Sequence, residues 1–160
     1  AYQARVFAMF PLLCGACGNW FSCWLVDYIF KKGRWKWSRA IPAIIGFSLV
    51  GIGIIGILST DEVLLAVIFL SLAVFGADMT LSPSWSFCVD IGKSHAGTIA
   101  GTMNMAGNIG SFITGIAFPY LIIWTGTSDT FFIISGILVI LSIIAWLNVD
   151  LSNPIEHEQA

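Results

Sequence analysis

No charged residue lies between Arg5 and Asp27, between Arg39 and Asp61, between His95 and Asp129, or between Asp129 and Asp150. Each gap is at least as long as the run of about 20 mainly apolar residues that a helix needs to cross a bilayer. A further apolar run covers 63–77 and continues past Asp78 to Val89. Lipid tolerates only helices and closed barrels, because backbone polar groups must be satisfied without water. Runs this long and uninterrupted fit helices. They predict five membrane-spanning helices, at 7–26, 40–58, 63–87, 96–123 and 130–149, in an all-α integral membrane protein.

Composition closes the other routes. The chain is 58% hydrophobic and 10% charged, against about 25% charged in an ordinary soluble domain. That is too little charge to clothe a water-exposed surface, which excludes a soluble enzyme, a nucleic-acid binder and a disordered tail.

Lys31, Lys32, Arg34, Lys36 and Arg39 are five of the seven basic residues, all in one short loop. An excess of Lys and Arg marks a cytoplasmic loop. By parity, the Asp61/Glu62 turn and Ser128/Asp129 then face outward. The loop at Asp90, Lys93 and His95 faces inward, and the tail 150–160 is cytoplasmic. Trp35, Trp37, Trp124 and Trp146 stand near expected helix ends, where aromatic belts form. The chain opens on Ala without a cleavable signal sequence, and five spans with an outward N-terminus point to a piece of a longer protein.

Cys14 and Cys17 match the spacing of a redox motif. Such thiols are activated by cations or a helix N-terminus, and this pair sits deep in an uncharged span. The expectation is two small residues on a packed helix face. A membrane thiol oxidoreductase using Cys14 and Cys17 is the alternative from another class, and a non-transporting scaffold or sensor is a third. Neither His95 nor His157 lies at metal-ligand spacing from a thiol, so neither a metal nor any other cofactor is expected.

The fourth span carries the most specific pattern. Wound at about 100° per residue, Gly97, Gly101, Asn104, Asn108, Ser111 and Gly115 fall in one wedge roughly 80° wide. Ile99, Ala106, Ile113 and Ala117 occupy the opposite face. Carboxamides in hydrocarbon need a partner or a wet cavity. The stripe is either close small-residue packing or the lining of a polar pathway, with Asn104 and Asn108 donating to one bound anion. In the third span Ser71, Asp78, Ser82 and Trp85 share a wedge if Pro83 bends the helix without ending it. Asp78 is the only acid well inside a span. It is a candidate for proton coupling or for a cation partner, and a structural hydrogen-bonding role stands beside these. Facing stripes would make a cavity of Ser82, Trp85, Asn104, Asn108 and an acid. Asp27, at the end of the first span, with Lys31, Lys32 and Arg34 beyond it, forms either a cytoplasmic gate or a topology anchor.

Trp85…Cys88-Val89-Asp90-Ile91-Gly92 followed by Ala96-Gly97-Thr98…Gly101…Asn104…Gly107-Asn108-Ile109-Gly110 resembles the tenth and eleventh helices of the anion:cation symporters. These form a family of the major facilitator superfamily that includes sugar-acid and sialin-like carriers. Asp27 to Arg39 looks like the superfamily's loop between helices eight and nine. The resemblance implies a fold of twelve helices in two halves. Residues 1–149 would be a C-terminal half-domain lacking its first helix, and 150–160 a tail. It implies secondary active transport of a small organic anion by alternating access, coupled to protons and involving no bond chemistry. The partners would be that anion, the proton, the lipid bilayer and the absent N-terminal helices, with no nucleic acid. It places Ser82, Trp85 and Asn104 at cavity positions, with Asn108 one turn further. The chain departs from the family pattern in having Ser22-Cys23 for a Gly-Gly pair and Tyr28 for an Arg. Asp78 has no counterpart in the resemblance.

Overall fold

The computed structural model describes the backbone of residues 2–148 and the side chains of 9–34 and 37–148. The expected tail 150–160, His157 and the side chains of Trp35 and Lys36 lie outside these. The described residues form six α-helices and no strand: α1 (Tyr2–Lys31), α2 (Trp35–Leu58), α3 (Val63–Met79), α4 (Leu81–Gly92), α5 (Ala96–Thr125) and α6 (Asp129–Leu147). A 3-10 turn, Lys93–His95, joins α4 to α5. α5 ends where Gly126 takes a left-handed φ of 74° and donates its N–H to the Ile122 carbonyl at 2.9 Å, a conformation that costs a glycine little.

Four helical stretches are long and apolar enough to cross a membrane: Met9–Lys31, Trp37–Leu58, Val63–Thr125 and Asp129–Leu147. The third takes in α3, α4, the 3-10 turn and α5. As one straight rod it would be about three times the thickness of a bilayer core, but it folds back. Lys93 has a φ of 43°, and beyond it Met103 of α5 returns to within 3.4 Å of Cys88 of α4, sulfur to sulfur.

The expected 63–87 span is interrupted. Pro83 has no N–H to donate, which frees the Met79 carbonyl one turn before it. The Ser22 hydroxyl of α1 donates to that carbonyl at 2.5 Å, and both residues are wholly buried. The Thr80 N–H turns to the Ala77 carbonyl at 3.1 Å, and α4 starts afresh at Leu81. The helix is therefore interrupted at Thr80, a single residue that keeps right-handed φ and ψ of −79° and −15°, within the expected 63–87 span.

The core is α3 held against α1 and α2. Along α1 the buried positions are Pro11, Gly15, Gly18, Ser22, Val26 and Ile29, spaced three and four apart and so on one face. A methyl group on Gly46 of α2 would stand 2.6 Å from the Gly76 carbonyl oxygen of α3, and one on Gly53 would stand 2.7 Å from that of Phe69. On α1, a methyl at Gly18 would strike the Phe75 carbonyl. Small residues let backbones approach this closely, and in lipid such packing drives helix association. α6 lies on the far side of α2, and α5 lies at the edge against α4.

Gly18→Ala should lower stability by about 1–3 kcal/mol through overpacking. Gly51→Ala meets only Val139 at an ordinary 3.9 Å, and should leave stability unchanged or raise it by up to about 1 kcal/mol through helix propensity. Thermal unfolding of the detergent-purified protein checks both, and equal losses would contradict the close crossing of α1 and α3.

Candidate functional site

Asp78 lies in the last turn of α3, half-buried, with its carboxylate against Gly15 of α1. Any side chain at Gly15 would collide with that carboxylate, and Val74 flanks the same spot. No described residue gives Asp78 a hydrogen bond or an ion pair. The Thr80 break interrupts the expected wedge of Ser71, Asp78, Ser82 and Trp85, and its members differ in burial. Ser71 is buried and donates to the Val67 carbonyl at 2.6 Å. Beyond the break, Ser82 is half-buried and Trp85 is 45% exposed.

α4 and α5 meet along Ser84, Phe87 and Cys88 on one side and Ile99, Thr102 and Met103 on the other, around an open apolar groove of about 390 Å³. Asn104 and Asn108 are outside this seam and exposed. The Asn108 amide already donates to the Asn104 carbonyl at 2.9 Å, so one of its two N–H groups remains, together with both of Asn104. Ser111 likewise donates within its helix, to the Gly107 carbonyl at 3.0 Å. Around Gly97, Gly101 and Gly115 of the stripe, and equally around Gly107 and Gly110 off it, nothing lies within 4 Å of an added methyl, and every residue from Asn104 to Ile116 is exposed. No helix among the described residues packs on that stripe. The fold thus sets Trp85 and the two Asn on exposed surfaces of neighbouring helices, with no hydrogen bond linking Ser82, Trp85, Asn104 and Asn108 across them.

At the end rich in basic residues the arrangement differs from expectation. α1 runs on to Lys31, so Asp27 sits inside the helix, and not at its end. Asp27 is exposed and forms no ion pair with Lys31, Lys32 or Arg34. The Lys32 ammonium lies instead 4.3 Å from the centre of the Tyr28 ring. An ion pair here joins Arg39 Nε to Asp90 Oδ2 at 2.8 Å, with the two side chains 11% and 17% exposed. Arg39 also donates to Ser38 Oγ at 3.2 Å and lies 5.4 Å over the Phe30 ring. One guanidinium thereby ties the start of α2 to the end of α4 and touches the end of α1.

Cys14 is half-buried, and Cys17 and Cys23 are exposed. The packed face of α1 runs through Gly15, Gly18 and Ser22, so the expected packing role fails for Cys17. Among the described residues no group of three His, Cys, Asp or Glu could hold a metal. Sequence reasoning passed over two features. The Gly15, Gly18, Ser22 line was legible, because it carries the same small-residue spacing that drew attention to α5. The Arg39–Asp90 pair spans 51 positions and leaves no periodic trace.

The relatives of this chain agree with its helices. It is 33% identical to the probable sulfoacetate transporter of Cupriavidus necator over 138 residues, which is 86% of this chain and 32% of that protein. It is 32% identical to the probable galactarate/D-glucarate transporter of Bacillus subtilis over 147 residues, 91% of this chain and 32% of that protein. To a probable galactarate/D-glucarate transporter of Escherichia coli K12 it is 30% identical over 117 residues, 72% of this chain and 26% of that protein. The chain belongs to the anion:cation symporter family of the major facilitator superfamily. It spans about a third of the length of the curated relatives it matches. No family model matches it and no solved structure matches it.

Arg39→Ala should destabilise the protein by roughly 2 kcal/mol. That is below the 3–5 kcal/mol for breaking a fully buried pair, because water reaches both groups. The exchange of Arg39→Asp with Asp90→Arg should recover part of the loss. Thermal unfolding of the single and double variants reads this as a coupling energy.

Proposed function

We propose that the chain forms part of a secondary active transporter that carries a small organic anion, a sugar acid or carboxylate, across the cell membrane by alternating access. The observation that carries this reading is the exposed amide face of α5, in a chain whose relatives over most of its length are named transporters of sulfoacetate and of galactarate/D-glucarate. An anion leaving water forfeits its hydration, and donors inside the membrane must replace it. Asn104 and Asn108 supply amide N–H groups one turn apart, Ser82 a hydroxyl, and Trp85 an apolar wall. No basic residue lies within the apolar runs 7–26, 40–58, 63–87, 96–123 and 130–149, so the counter-charge comes from elsewhere in the carrier.

On this reading α1, α2, α3 with α4, α5 and α6 are five passes, equivalent to helices eight to twelve of a twelve-helix fold. Residues 1–149 are then the C-terminal half without its first helix. The basic loop and the tail 150–160 face the cytoplasm. Asp27, Lys31, Lys32 and Arg34 lie at the cytoplasmic gate, next to the Arg39–Asp90 tie. Asp78 couples transport to protons. Its carboxylate is half-buried and has no hydrogen bond or ion pair among the described residues, and an acid within a span is by default a candidate for a proton relay.

In the intact carrier, Asn104→Ala and Trp85→Ala should each reduce uptake of a labelled sugar acid by about tenfold or more, the factor expected for losing one or two substrate contacts. Normal uptake in both would remove these residues from the cavity. Asp78→Asn should abolish accumulation driven by a pH gradient and spare counterflow exchange. Retained pH-driven accumulation would take Asp78 out of the coupling.

A further inference from the structure

We propose that Ser22 is a positioning residue for the substrate cavity: its hydroxyl stands in for the backbone N–H that Pro83 lacks and so fixes the angle of α4 at the Thr80 break. In a continuous helix the N–H of residue 83 would donate to the Met79 carbonyl, and a proline there cannot. Ser22 and Met79 are both 0% exposed, so neither water nor a headgroup reaches that oxygen. The hydroxyl from α1, 57 positions away, donates to it instead.

α4 is a short helix held at both ends by the helices before it. At the break, Met79, the last residue of α3 and two positions before α4 begins, is tied to Ser22 of α1. At its far end α4 is tied through Asp90 to Arg39 of α2. It carries Ser82 and Trp85, and its Cys88 is seated 2% exposed against Met103. If the tie at the break is lost, the buried carbonyl is left without a donor. It then finds one only if α4 tilts and opens the joint to water. The role in the cavity rests on the proposed substrate contacts of Ser82 and Trp85; the hinge itself does not.

The test is a double-variant cycle in the intact protein in membranes, with the cysteines other than Cys88 replaced by Ser. Ser22→Ala should speed alkylation of Cys88 by N-ethylmaleimide by about tenfold, the scale of one lost buried hydrogen bond, and raise the KM for the transported anion without a matching fall in kcat. Pro83→Ala restores an N–H to position 83, so Ser22→Ala combined with Pro83→Ala should return both values to near those of the parent. Ser22→Thr keeps the hydroxyl and should keep the parental alkylation rate. If Ser22→Ala alone fails to fold, recovery of a monodisperse protein by adding Pro83→Ala supports the same coupling. Unchanged Cys88 reactivity in Ser22→Ala, or no recovery in the double variant, overturns the proposal. If no variant, the parent included, transports a sugar acid, the transport reading falls, while the alkylation cycle still decides the role of Ser22.

Discussion

Everything in this structure hangs on how closely α3 approaches α1 and α2. Lipid tails are as apolar as the helices themselves, so association inside a bilayer rests on packing and hydrogen bonding, with little help from the hydrophobic effect. Carbonyls of α3 meet Gly18 on one neighbour and Gly46 and Gly53 on the other. With the backbones this near, a hydroxyl on α1 can reach the Met79 carbonyl, and a carboxylate on α3 can rest on Gly15. α2, fixed by the same contacts, presents Arg39 to Asp90 and a surface to α6.

The same residue type is used in two ways. Glycines of the α1–α2–α3 core are filled against a neighbouring helix, whereas those of α5 stand open among the described residues. The α5 glycines lie alongside two carboxamides that turn away from the seam with α4. A face that packs and a face that is left polar and open are the two requirements of a helix lining a pathway. α5 packs on α4 through Ile99, Thr102 and Met103 and is exposed on every side from Asn104 to Ile116, so the assignment of Asn104 and Asn108 to the cavity builds on their amide groups and their spacing.

Much of the fold was legible in the one-dimensional pattern. The uncharged runs locate the helices to within a few residues for α5 and α6, and the polar face of α5 follows from its spacing. The redox-like Cys14/Cys17 spacing was set aside because no charge lies near it, and the packing role expected instead fails at Cys17, which is exposed. The wedge of Ser71, Asp78, Ser82 and Trp85 was drawn on a continuous helix, and the break at Thr80 divides it. A proline announces a lost hydrogen bond, but whether the helix bends or breaks depends on which neighbour takes up the freed carbonyl. Asp27 and its basic followers read as a gate or a topology anchor from their closeness in the sequence. The pair that forms joins Arg39 to a residue 51 positions away, because α2 and α4 are brought together there and Asp27 is left exposed.

The sequence by itself determined that this is an all-helical membrane protein, where its apolar helices run, and which face of α5 is polar. These follow from length, charge and period, properties each segment has alone against a solvent that rejects charge and bare backbone. Only the tertiary structure decided that Ser22 serves the Met79 carbonyl, that Gly15 makes room for Asp78, and that Arg39 meets Asp90. Each of these joins residues of different helices across a few ångströms, and that distance is set by small side chains at the crossings, not by anything local to either partner.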